Sequence, residues 1–437
     1  MKAVIQAGGA GTRLATLTKD LPKPMVDIGG KPILEWQLES LKRSGILEAM
    51  IIVSKRSHAI QDYFGDGSKL GMQISYFVED EPLGTGGAFA YIAKQIQDDF
   101  IFLLGDLMLD ISWDRMVQFH KKKGGMITAF VHPNSHPEDS DILILDAEGL
   151  VKTILPKKEP RDFFYQNLVL AGAYVISSEL LETFEDIDEP FKMDFEKEIL
   201  IPTIACEGVY GYVCSEYIKD CGTPSRYYAV IRDLQQGVIA AKNLKNPQKA
   251  IFLDRDGVIN VFGDYVTDAS KLRIGDRVAQ AIKMINESGY LAIVVTNQPV
   301  VARGDTTLAE LHNIHMKMET LLGQEGAYLD AIYFCPHHPH KGFPGERVEF
   351  KIDCECRKPK IGMLLQAKER FNIDLSASWF VGDTYRDIQT GINGGCHTVH
   401  LTSGDPNYAQ GFASAKPEYV CKDLYDAVTL ILAKKSD

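Results

Sequence analysis

Short apolar runs and stretches with helical spacing alternate along the N-terminal half of the chain. The runs predict buried strands at residues 3–5, 51–53, 74–78 and 101–104. Between residues 33 and 44, apolar positions recur at helical spacing instead. This alternation predicts an α/β fold in which helices cover a mostly parallel sheet and ligands bind at the carboxyl ends of its strands.

The pattern becomes richer in strands from about residue 126, with predicted strands at residues 128–131 and 173–176. We interpret this part as a substrate-binding lobe built on the same sheet. A helical stretch over residues 227–242 leads into the polar segment 242–249, which is the best candidate for a linker.

After this polar segment the alternation of strands and helices starts again. Its predicted strands lie at residues 251–253, 291–295, 331–334 and 379–381. A chain of 437 residues exceeds the length over which one hydrophobic core keeps growing. We therefore expect two α/β domains, one at residues 1–242 and one at residues 249–437.

Composition narrows the class of protein further. The hydrophobic share of 45% and the charged share of 24% are ordinary for a globular protein. The formal net charge of −12 argues against nucleic-acid binding, because there is no surplus of cations to replace counterions on phosphates. No apolar run approaches the roughly 20 residues of a membrane span, and the first residues are typical of a strand rather than a signal peptide. We expect a cytoplasmic protein with no membrane partner.

A glycine-rich loop follows the first predicted strand. Gly8, Gly9 and Gly11 lack the side chains that would keep a backbone away from phosphate oxygens. Thr12 and Arg13 add a hydroxyl group and a fork of hydrogen-bond donors. Such a loop alone is equally typical of a tight turn, so its interpretation depends on the motifs around it.

Further motifs at residues 22–25, 81–87 and 105–106 complete a resemblance to the sugar-1-phosphate nucleotidyltransferase family over roughly residues 1–235. The family pattern GGxGTRL followed by PKP is matched in full. The resemblance implies a Rossmann-like, GT-A-like domain in which the glycine loop and Arg13 hold a nucleoside triphosphate. It also implies that Lys23 neutralises phosphate charge in the transition state, and that Gly84 and Thr85 border the base and the sugar.

The same resemblance implies a Mg²⁺ site on Asp106 and Asp220, and contacts of Glu196 and Lys197 with the sugar and its phosphate. Cations and a metal suit this chemistry, since it brings two anions together. Residues 170–172 read Leu-Ala-Gly where the family often has Asn before Ala-Gly, which puts one contact with a sugar hydroxyl group in question.

The polar stretch at residues 132–141 bears on the choice of nucleotide. It is similar to the branch that makes GDP-heptose from heptose 1-phosphate, which favours GTP. The alternative interpretation of this stretch is a polar surface loop.

A second phosphate motif follows the apolar run at residues 250–253. Asp254 ends that predicted strand and Asp256 comes two residues later. The first carboxylate can attack phosphorus, and the second can protonate the leaving alkoxide and then activate water.

Thr296, Lys358 and Asp383 follow in chain order and complete a resemblance to the phosphatases of the haloacid dehalogenase (HAD) superfamily over residues 249–435. The resemblance implies a HAD-like Rossmannoid domain with Asp254 as nucleophile and Asp256 as general acid and base. The residues implied to bind the phosphoryl group and the substrate are Thr296, Asn297, Arg357 and Lys358. The implied ligands of Mg²⁺ are Asp254, Asp383 and the backbone carbonyl of Asp256.

Cysteines and histidines form two close pairs ahead of Lys358, namely Cys335 with His337 and Cys354 with Cys356. Three thiols and an imidazole suit tetrahedral Zn²⁺ with no open position, so we expect a structural zinc that holds the loop carrying Arg357 and Lys358. His338 or His340 could replace His337, but the Cys-x-His spacing favours His337.

The zinc motif is similar to that of the heptose-1,7-bisphosphate 7-phosphatases, and histidinol-phosphatases are the nearest alternative. Residues 299–301 read Pro-Val-Val where the heptose family usually has Ser-Gly-Ile, which leaves the exact substrate open.

We therefore interpret the chain as a bifunctional enzyme of nucleotide-sugar synthesis. One domain would remove the 7-phosphate of a heptose 1,7-bisphosphate, and the other would join heptose 1-phosphate to a nucleoside monophosphate and release pyrophosphate. One alternative is a nucleotidyltransferase for another sugar, such as mannose 1-phosphate, fused to a phosphatase of different specificity. Another is a regulatory binding protein with one inactive domain, against which the complete acidic and basic sets argue.

Overall fold

The computed structural model of the protein describes residues 1–8, 21–55, 57–187, 189–404 and 415–434. The chain divides into two compact units. Unit 1 consists of Met1–His132, Leu143–Leu155 and Leu170–Asn243, and unit 2 consists of Pro133–Ile142, Pro156–Val169 and Leu244–Asp437.

Unit 1 is built on a large sheet and a two-stranded ribbon. The strands are β1 Ala3–Gln6, β2 Glu48–Ser54, β3 Gln73–Glu79, β4 Phe100–Leu104, β5 Leu107–Asp110, β6 Ile127–His132, β7 Ile142–Leu145, β8 Val151–Leu155, β9 Val169–Ile176, β10 Val209–Val213 and β11 Tyr217–Asp220. In the described part of the chain the sheet order is β10-β6-β9-β4-β1-β2-β3, with β7 beside β9 and β8 beside β7, and the ribbon pairs β11 with β5.

The helices of this unit flank the sheet strands in sequence. They are α1 Ile33–Arg43, α2 His58–Phe64, α3 Phe89–Ala93, α4 Trp113–Lys123, α5 Ser178–Glu182, α6 Ile201–Ala205, α7 Pro224–Gln235 and α8 Val238–Ala241, with a 3₁₀ turn at Lys23–Met25 and a π turn at Glu196–Leu200.

The central strand β1 explains why functional residues gather at one edge of this sheet. Ala3, Val4 and Ile5 are fully buried, as expected for a parallel strand covered on both faces. Strands β2 and β4 run parallel to β1 on either side, and Gln6 is in register with Leu104. The N–H of Gly105 donates to the carbonyl of Gln6 (2.9 Å), so the loops that follow β1 and β4 begin side by side.

Unit 2 contains a six-stranded sheet in which every pairing is parallel. Its strands are β12 Lys249–Leu253, β13 Tyr290–Asn297, β14 Ala331–Cys335, β15 Trp379–Gly382, β16 His397–Leu401 and β17 Tyr419–Cys421, and their order is β14-β13-β12-β15-β16-β17. Its helices are α9 Val278–Ser288, α10 Val300–Arg303, α11 Leu308–Gln324, α12 Gly362–Phe371, α13 Tyr385–Gly394 and α14 Leu424–Lys434.

The main core of unit 2 joins helices to the sheet. Ile282 of α9, Met318 of α11 and Ile431 of α14 are fully buried and belong to one cluster with Ile251 and Val294 of the central strands. Burying each such side chain contributes about 1.5–3 kcal/mol, so this cluster is a major source of stability for the unit.

Two segments that precede residue 170 in the sequence fold with α11 of unit 2. The N–H of Tyr165 donates to the hydroxyl of Thr320 (3.0 Å), and Tyr165 and Thr320 are 2% and 4% exposed. Asn167 Nδ2 donates to the carbonyl of Asn134 (2.7 Å) and joins the two segments. These segments contact α11 closely at Gly323. A Cβ added there would lie 2.8 Å from Cγ of Pro137.

The strands predicted from apolar runs are all present, and the two sheets with their helices confirm the α/β fold class. The helical stretch predicted at residues 227–242 is divided into α7 and α8, because Gly237 adopts a left-handed conformation with φ of 72°. Strands β5, β7, β8, β10, β11, β16 and β17 were not predicted, although β5 and β7 contain short apolar runs at residues 107–109 and 142–145.

The predicted linker lies where unit 1 ends at Asn243 and unit 2 resumes at Leu244. It is anchored rather than solvated, since Asn243 Nδ2 donates to Asp110 Oδ1 (2.8 Å) in unit 1. In unit 2, Asn372 Nδ2 donates to the carbonyl of Leu244 (3.0 Å).

Candidate functional sites

The first candidate site lies at the carboxyl edge of the unit 1 sheet. Four residues of its predicted phosphate loop, Gly9, Gly11, Thr12 and Arg13, lie outside the described residues. Gly8 is described, and a Cβ added there would lie 2.7 Å from Glu79 Oε2. A larger residue at position 8 would therefore displace the buried carboxylate of Glu79.

Glu79 and Gln6 are residues of this site that sequence reasoning missed. Gln6 Nε2 donates to the carbonyl of Gly84 (3.0 Å) and lies 3.5 Å from Glu79 Oε1. Burial raises the pKa of Glu79, and the hydrogen bond from Gln6 opposes that shift. Gln6 thus connects the end of β1 with the loop that carries Gly84.

Lys23, Asp106 and Asp220 come together although they are far apart in the sequence. Lys23 Nζ lies 3.2 Å from Asp106 Oδ2. Asp220 is in register with Leu107 in the antiparallel ribbon, and the N–H of Cys221 donates to the carbonyl of Asp106 (3.0 Å). The ribbon of β5 and β11 therefore places both predicted metal ligands beside the predicted lysine.

Asp220 has a further cationic partner in Arg226, in the first turn of α7. Arg226 Nη1 pairs with Asp220 Oδ2, and the N–H of Gly222 donates to Asp220 Oδ1 (2.5 Å). Two carboxylates suit Mg²⁺, which is usually bound by one or two acidic side chains together with water and substrate phosphates. The donor set of Asp106 and Asp220 therefore fits this ion.

The remaining predicted residues of this site form a second group. The hydroxyl of Thr85 accepts from the N–H of Phe195 (2.9 Å), and the N–H of Gly86 donates to the carbonyl of Met193 (3.0 Å). Gly84 has φ of 80°, and a Cβ there would lie 2.4 Å from the oxygen of Met193. These contacts hold the loop of Gly84 and Thr85 against the segment just before Glu196 and Lys197.

The second candidate site lies at the carboxyl edge of the unit 2 sheet. Asp254 directly follows β12, Thr296 is the penultimate residue of β13, and Asp383 directly follows β15. Strand β12 pairs in parallel with both β13 and β15, so the three side chains start from neighbouring strand ends.

Lys358 is at the centre of this site and is only 2% exposed. Its Nζ lies 2.9 Å from Asp254 Oδ1 and 2.6 Å from Asp387 Oδ1, and it donates to the carbonyl of Val295 (2.9 Å). The ammonium group therefore forms two ion pairs with carboxylates and one hydrogen bond with the backbone. Asp387, to which sequence analysis assigned no role, is thereby part of the site.

Three buried carboxylates form a candidate Mg²⁺ site. One oxygen from each of Asp254, Asp383 and Asp387 lies within 4.8 Å of the others, and carboxylate oxygens are the ligands this ion prefers. Burial raises the pKa of Asp254 to about 6, and the charge of Lys358 opposes that shift. Gly257 has φ of 78°, and a Cβ there would lie 2.0 Å from Asp383 Oδ2, so only glycine fits beside this carboxylate.

Asp256 is held by two residues that sequence analysis did not assign. Arg255 Nη2 lies 2.9 Å from Asp256 Oδ1, and Gln298 Nε2 donates to Asp256 Oδ2 (2.9 Å). Burial alone would raise the pKa of Asp256, but the charge of Arg255 and the hydrogen bond from Gln298 hold it below its usual value. No sequence signal could have identified this role, because the complete burial of Arg255 is visible only in the structure.

The predicted zinc ligands converge on one point. The Sγ atoms of Cys335 and Cys354 are 3.4 Å apart, those of Cys354 and Cys356 are 3.2 Å apart, and His337 Nδ1 is 3.4 Å from Cys356 Sγ. A tetrahedral site with Zn–S bonds of about 2.3 Å has ligand separations close to these. Burial, and then the charge of Arg357, lowers the pKa of His337, which keeps the imidazole neutral as a metal ligand requires.

The cysteine cluster is connected to the phosphate site through the backbone. The side chain of Asn297 accepts from the N–H of Lys358 (3.0 Å) and donates to its carbonyl (3.2 Å). Arg357 Nη1 donates to the carbonyl of His337 (3.0 Å). The loop predicted to be held by zinc therefore leads directly to Lys358.

A cleft of about 290 Å³ opens beside Lys358. Its basic lining residues are Arg357, Lys358, Lys360 and Arg386, and the imidazoles of His338 and His340 also face it. Lys360 pairs with Asp353 (2.8 Å) and Glu355 (3.2 Å), whereas Arg357 and Arg386 lie close enough for their like charges to affect each other. Such a cleft suits a substrate with a second anionic group.

The eight cysteines are free thiols, so the cluster is not a disulfide. In the part of the chain that the structure describes, no helix combines the length and the apolar character needed to cross a membrane.

Comparison with known proteins identifies relatives of both halves of the chain. Residues 2–237 match the family described as nucleotidyl transferase, and residues 355–427 match the family described as HAD-hydrolase-like. A D-glycero-beta-D-manno-heptose-1,7-bisphosphate 7-phosphatase from Yersinia pestis is 41% identical over 186 residues, which are 42% of this chain and 96% of the relative.

A mannose-1-phosphate guanylyltransferase from Mycobacterium tuberculosis is 31% identical over 249 residues, which are 56% of this chain and 67% of the relative. A crystal structure of a D,D-heptose 1.7-bisphosphate phosphatase from B. bronchiseptica, complexed with magnesium and phosphate, covers 43% of this chain and 99% of that one at 32% identity, with a TM-score of 0.37.

Proposed function

The chain belongs to the nucleotidyl transferase family in its N-terminal half and to the HAD-type heptose-bisphosphate phosphatases in its C-terminal part, and we propose that it catalyses two successive steps of nucleotide-sugar synthesis. It removes the 7-phosphate of a heptose 1,7-bisphosphate, and it then transfers GMP from GTP to the resulting heptose 1-phosphate. The observation that carries the phosphatase half is the convergence of Asp254, Lys358, Asp383 and Asp387 at one sheet edge.

In the first half-reaction of the phosphatase, an Asp254 oxygen forms a bond to phosphorus while the bond from phosphorus to the sugar oxygen breaks. The leaving oxygen takes a proton from Asp256. Water then attacks the same phosphorus and gives its proton to Asp256, and the bond to Asp254 breaks to release inorganic phosphate. Thr296 and Lys358 hold the non-bridging oxygens during both displacements.

The cleft beside Lys358 supports a bisphosphate as substrate. Arg357 and Arg386 line it with positive charge, and Asp353, the carboxylate among its described lining residues, is paired with Lys360. A second phosphate on the substrate would be favoured there by charge. Asn297 contributes by holding the backbone of Lys358.

In the transferase reaction, an oxygen of the sugar phosphate attacks the α-phosphorus of the nucleotide and the bond to pyrophosphate breaks. Lys23 donates to phosphoryl oxygens and offsets the charge that develops there, and Arg13 with the glycine loop holds the triphosphate. Gly84 and Thr85 border the base and the sugar, and Glu196 and Lys197 contact the sugar and its phosphate.

Metal ions complete both sites in this proposal. When bound by Asp106 and Asp220, or by Asp254 and Asp383 with the backbone carbonyl of Asp256, Mg²⁺ supplies positive charge that stabilises the phosphoryl groups in transfer. Zn²⁺ on Cys335, His337, Cys354 and Cys356 has a structural role. A cytoplasmic site of action is part of the proposal, because a nucleoside triphosphate is one of the substrates.

The experiment that tests the proposal uses the full chain with Mg²⁺, heptose 1,7-bisphosphate and each of the four common nucleoside triphosphates. Phosphate and pyrophosphate are measured separately, and the product is identified by mass spectrometry. We expect phosphate release with any nucleotide or with none. Pyrophosphate release should follow when GTP is the nucleotide, but not with the other three. Absence of both products from the bisphosphate would refute the proposal.

A second candidate follows from the relative in Mycobacterium tuberculosis, which is named a mannose-1-phosphate guanylyltransferase. In that case mannose 1-phosphate with GTP yields pyrophosphate faster than heptose 1-phosphate with GTP. The same assay with the two sugar 1-phosphates, at equal concentration, distinguishes the candidates.

A further inference from the structure

Arg255 and Gln298 enclose the carboxylate of Asp256 on its buried side. Asp256 Oδ1 accepts from Arg255 Nε (3.1 Å) and Nη2 (2.9 Å), and Oδ2 accepts from Arg255 Nη2 (3.1 Å) and Gln298 Nε2 (2.9 Å). The side chain of Arg255 is fully buried, whereas that of Asp256 is 38% exposed. The carboxylate is therefore fixed from the interior and open toward solvent.

The two enclosing side chains are themselves fixed. Gln298 Oε1 accepts from Arg255 Nη2 (2.9 Å), and Gln298 Nε2 lies 3.0 Å from Thr296 Oγ1. The backbone N–H of Gln298 donates to the carbonyl of Cys335 (2.8 Å), and Arg255 Nη1 is 3.5 Å from His315 Nε2. Reorienting Asp256 would break several of these bonds at once, since the guanidinium fork requires one coplanar arrangement.

We infer that Arg255 and Gln298 are positioning residues that hold Asp256 in the orientation in which it exchanges a proton with the phosphate ester. This inference rests on the phosphatase reaction proposed above. Asp256 must serve two steps, first giving a proton to the leaving oxygen and then taking one from water, and both require the same location of its carboxylate.

A positioning role makes a prediction that a structural role does not. A sugar alkoxide is a poor leaving group and needs the proton from Asp256, whereas p-nitrophenolate leaves without one. The value of kcat/KM reports the steps up to the first phosphoryl transfer. Misplacing Asp256 should therefore lower kcat/KM for the sugar ester far more than for the aryl ester, whereas general loosening of the site should lower both equally.

The test measures phosphate release by the full chain from heptose 1,7-bisphosphate and from p-nitrophenyl phosphate. We expect Gln298→Met to lower kcat/KM for the bisphosphate about 10-fold more than for the aryl ester, and Arg255→Lys, which keeps the charge but loses the fork, to show the same pattern. The matched control is Gln389→Met. The Nε2 of Gln389 donates to Asn393 Oδ1 (2.8 Å) within helix α13, and this variant should leave both values unchanged.

A double-mutant cycle provides a second measurement on the bisphosphate alone. If Gln298 acts through Asp256, Gln298→Met should cost little in the Asp256→Ala background, since the group to be positioned is gone. Equal losses on the two esters, or an undiminished loss in the Asp256→Ala background, would overturn the inference. Failure of the parent protein to release phosphate from the bisphosphate is a separate result, which would overturn the proposed function itself.

Discussion

Lys358 shows that the buried charges of its site depend on one another. Its buried ammonium group pairs with Asp254 and Asp387, and a buried ion pair that loses one partner is destabilised by about 3–5 kcal/mol. A substitution that tests the chemistry should therefore keep the shape of the side chain and should not leave a buried charge without a partner. Asp387 still pairs with Lys358 when Asp254 is neutralised, which makes Asp254 suitable for such a test.

Asp254→Asn should abolish phosphate release, because the amide keeps the shape of the side chain but cannot attack phosphorus. Pyrophosphate release from GTP and heptose 1-phosphate should stay within about twofold of the parent value. Both products are measured on the same preparation. Residual phosphate release above about 1% of the parent rate would contradict the assignment of the nucleophile.

Lys23→Ala should have the opposite selectivity. Removing a cation next to the developing phosphoryl charge should lower pyrophosphate release about 100-fold or more, while phosphate release continues. Lys69→Ala, at an exposed lysine of the same unit, is the matched control and should leave both reactions unchanged. If Lys23→Ala abolished phosphate release and left pyrophosphate release intact, the assignment of the transferase reaction to the site of Lys23 would be wrong.

Sequence reasoning found the residues whose chemistry is visible in a motif and missed those whose role depends on packing. Asp254 and Asp383 directly follow strands β12 and β15, and Lys358 stands in the motif Arg-Lys-Pro at residues 357–359. Arg255 looks like a spacer between two aspartates, and its direction in the fold cannot be read from its neighbours. Gln298 likewise bonds Arg255 and Asp256, which lie in the loop after a different strand, β12.

In our proposal, bound metal keeps the loop between β14 and α12 in one ordered conformation. Its two ligand pairs enclose a stretch with little regular structure, so coordination must offset the entropy of closing the loop. The hydrogen bonds between Asn297 and Lys358 would transmit any loosening of this loop to the phosphate site.

Cys354→Ser should lower the melting temperature and weaken phosphate release, while pyrophosphate release persists. Elemental analysis of protein purified without chelators should give one zinc per chain for the parent and less for the variant. Cys421→Ser, at a thiol of unit 2 outside the cluster, is the control and should keep the zinc. A zinc-free parent protein with full stability and phosphatase activity would rule out the metal site.

Helix α11 carries a glutamate that makes stability depend on pH. Burial raises the pKa of Glu319 from its ordinary value of 4.5 to about 8. The folded state therefore favours the protonated carboxyl group. The contribution of this protonated group to the free energy of unfolding is fully present below about pH 4.5 and is lost as the pH rises through about 8.

Glu319→Gln should accordingly stabilise the protein, with a gain in melting temperature that is small near pH 5 and larger at pH 8. Thermal unfolding at both pH values checks this. The control is Glu325→Gln, at an exposed position just after the same helix. A gain that does not grow with pH would show that the charge of Glu319 is not the cause.

Elements with unbroken apolar runs were predictable because a parallel strand buried on both faces leaves that pattern. Strands β11 and β17 are short and pair in a ribbon or at an edge, and their sequences carry no comparable run. Strands β5 and β7 do carry short apolar runs, at residues 107–109 and 142–145, which the prediction missed. The division between α7 and α8 depends on the left-handed conformation of Gly237, which the helical periodicity around it does not reveal.

For the whole chain, the motifs predicted both enzyme families, and the family matches confirm them. The assignment of residues 133–142 and 156–169 to unit 2 could not be predicted, because it depends on contacts with a helix about 150 residues later in the sequence. Local periodicity carries no information about such distant partners.

We expect fragments 1–242 and 249–437 each to keep one activity, but the second to unfold at a lower temperature than unit 2 does in the full chain. The fragment lacks the segments that cover Thr320 and Gly323 of α11. Activity assays and thermal unfolding of the fragments test this. A fragment 249–437 that folds yet hydrolyses no phosphorylated sugar, while the full chain does, would contradict independent sites.

Thr320→Val separates this explanation from a general effect of truncation. In the full chain it leaves the buried N–H of Tyr165 without its acceptor, which costs about 1–3 kcal/mol. In fragment 249–437 that N–H is absent, so the same substitution should have little effect. An equal effect in both backgrounds would contradict the role of this contact.

The placement of these two segments also has a consequence for synthesis on the ribosome. About 155 residues separate Val169 from Gln324, the last residue of α11. At roughly 5–20 residues per second their translation takes about 8–30 s. During that interval the nascent chain can form the strands on either side of the segments, but Tyr165 and Asn134 have no helix to dock on. The emerging polypeptide thus passes through a stage in which a surface destined for burial is accessible to chaperones. That surface can be covered only after residues 249–324 of the phosphatase sequence have been synthesised.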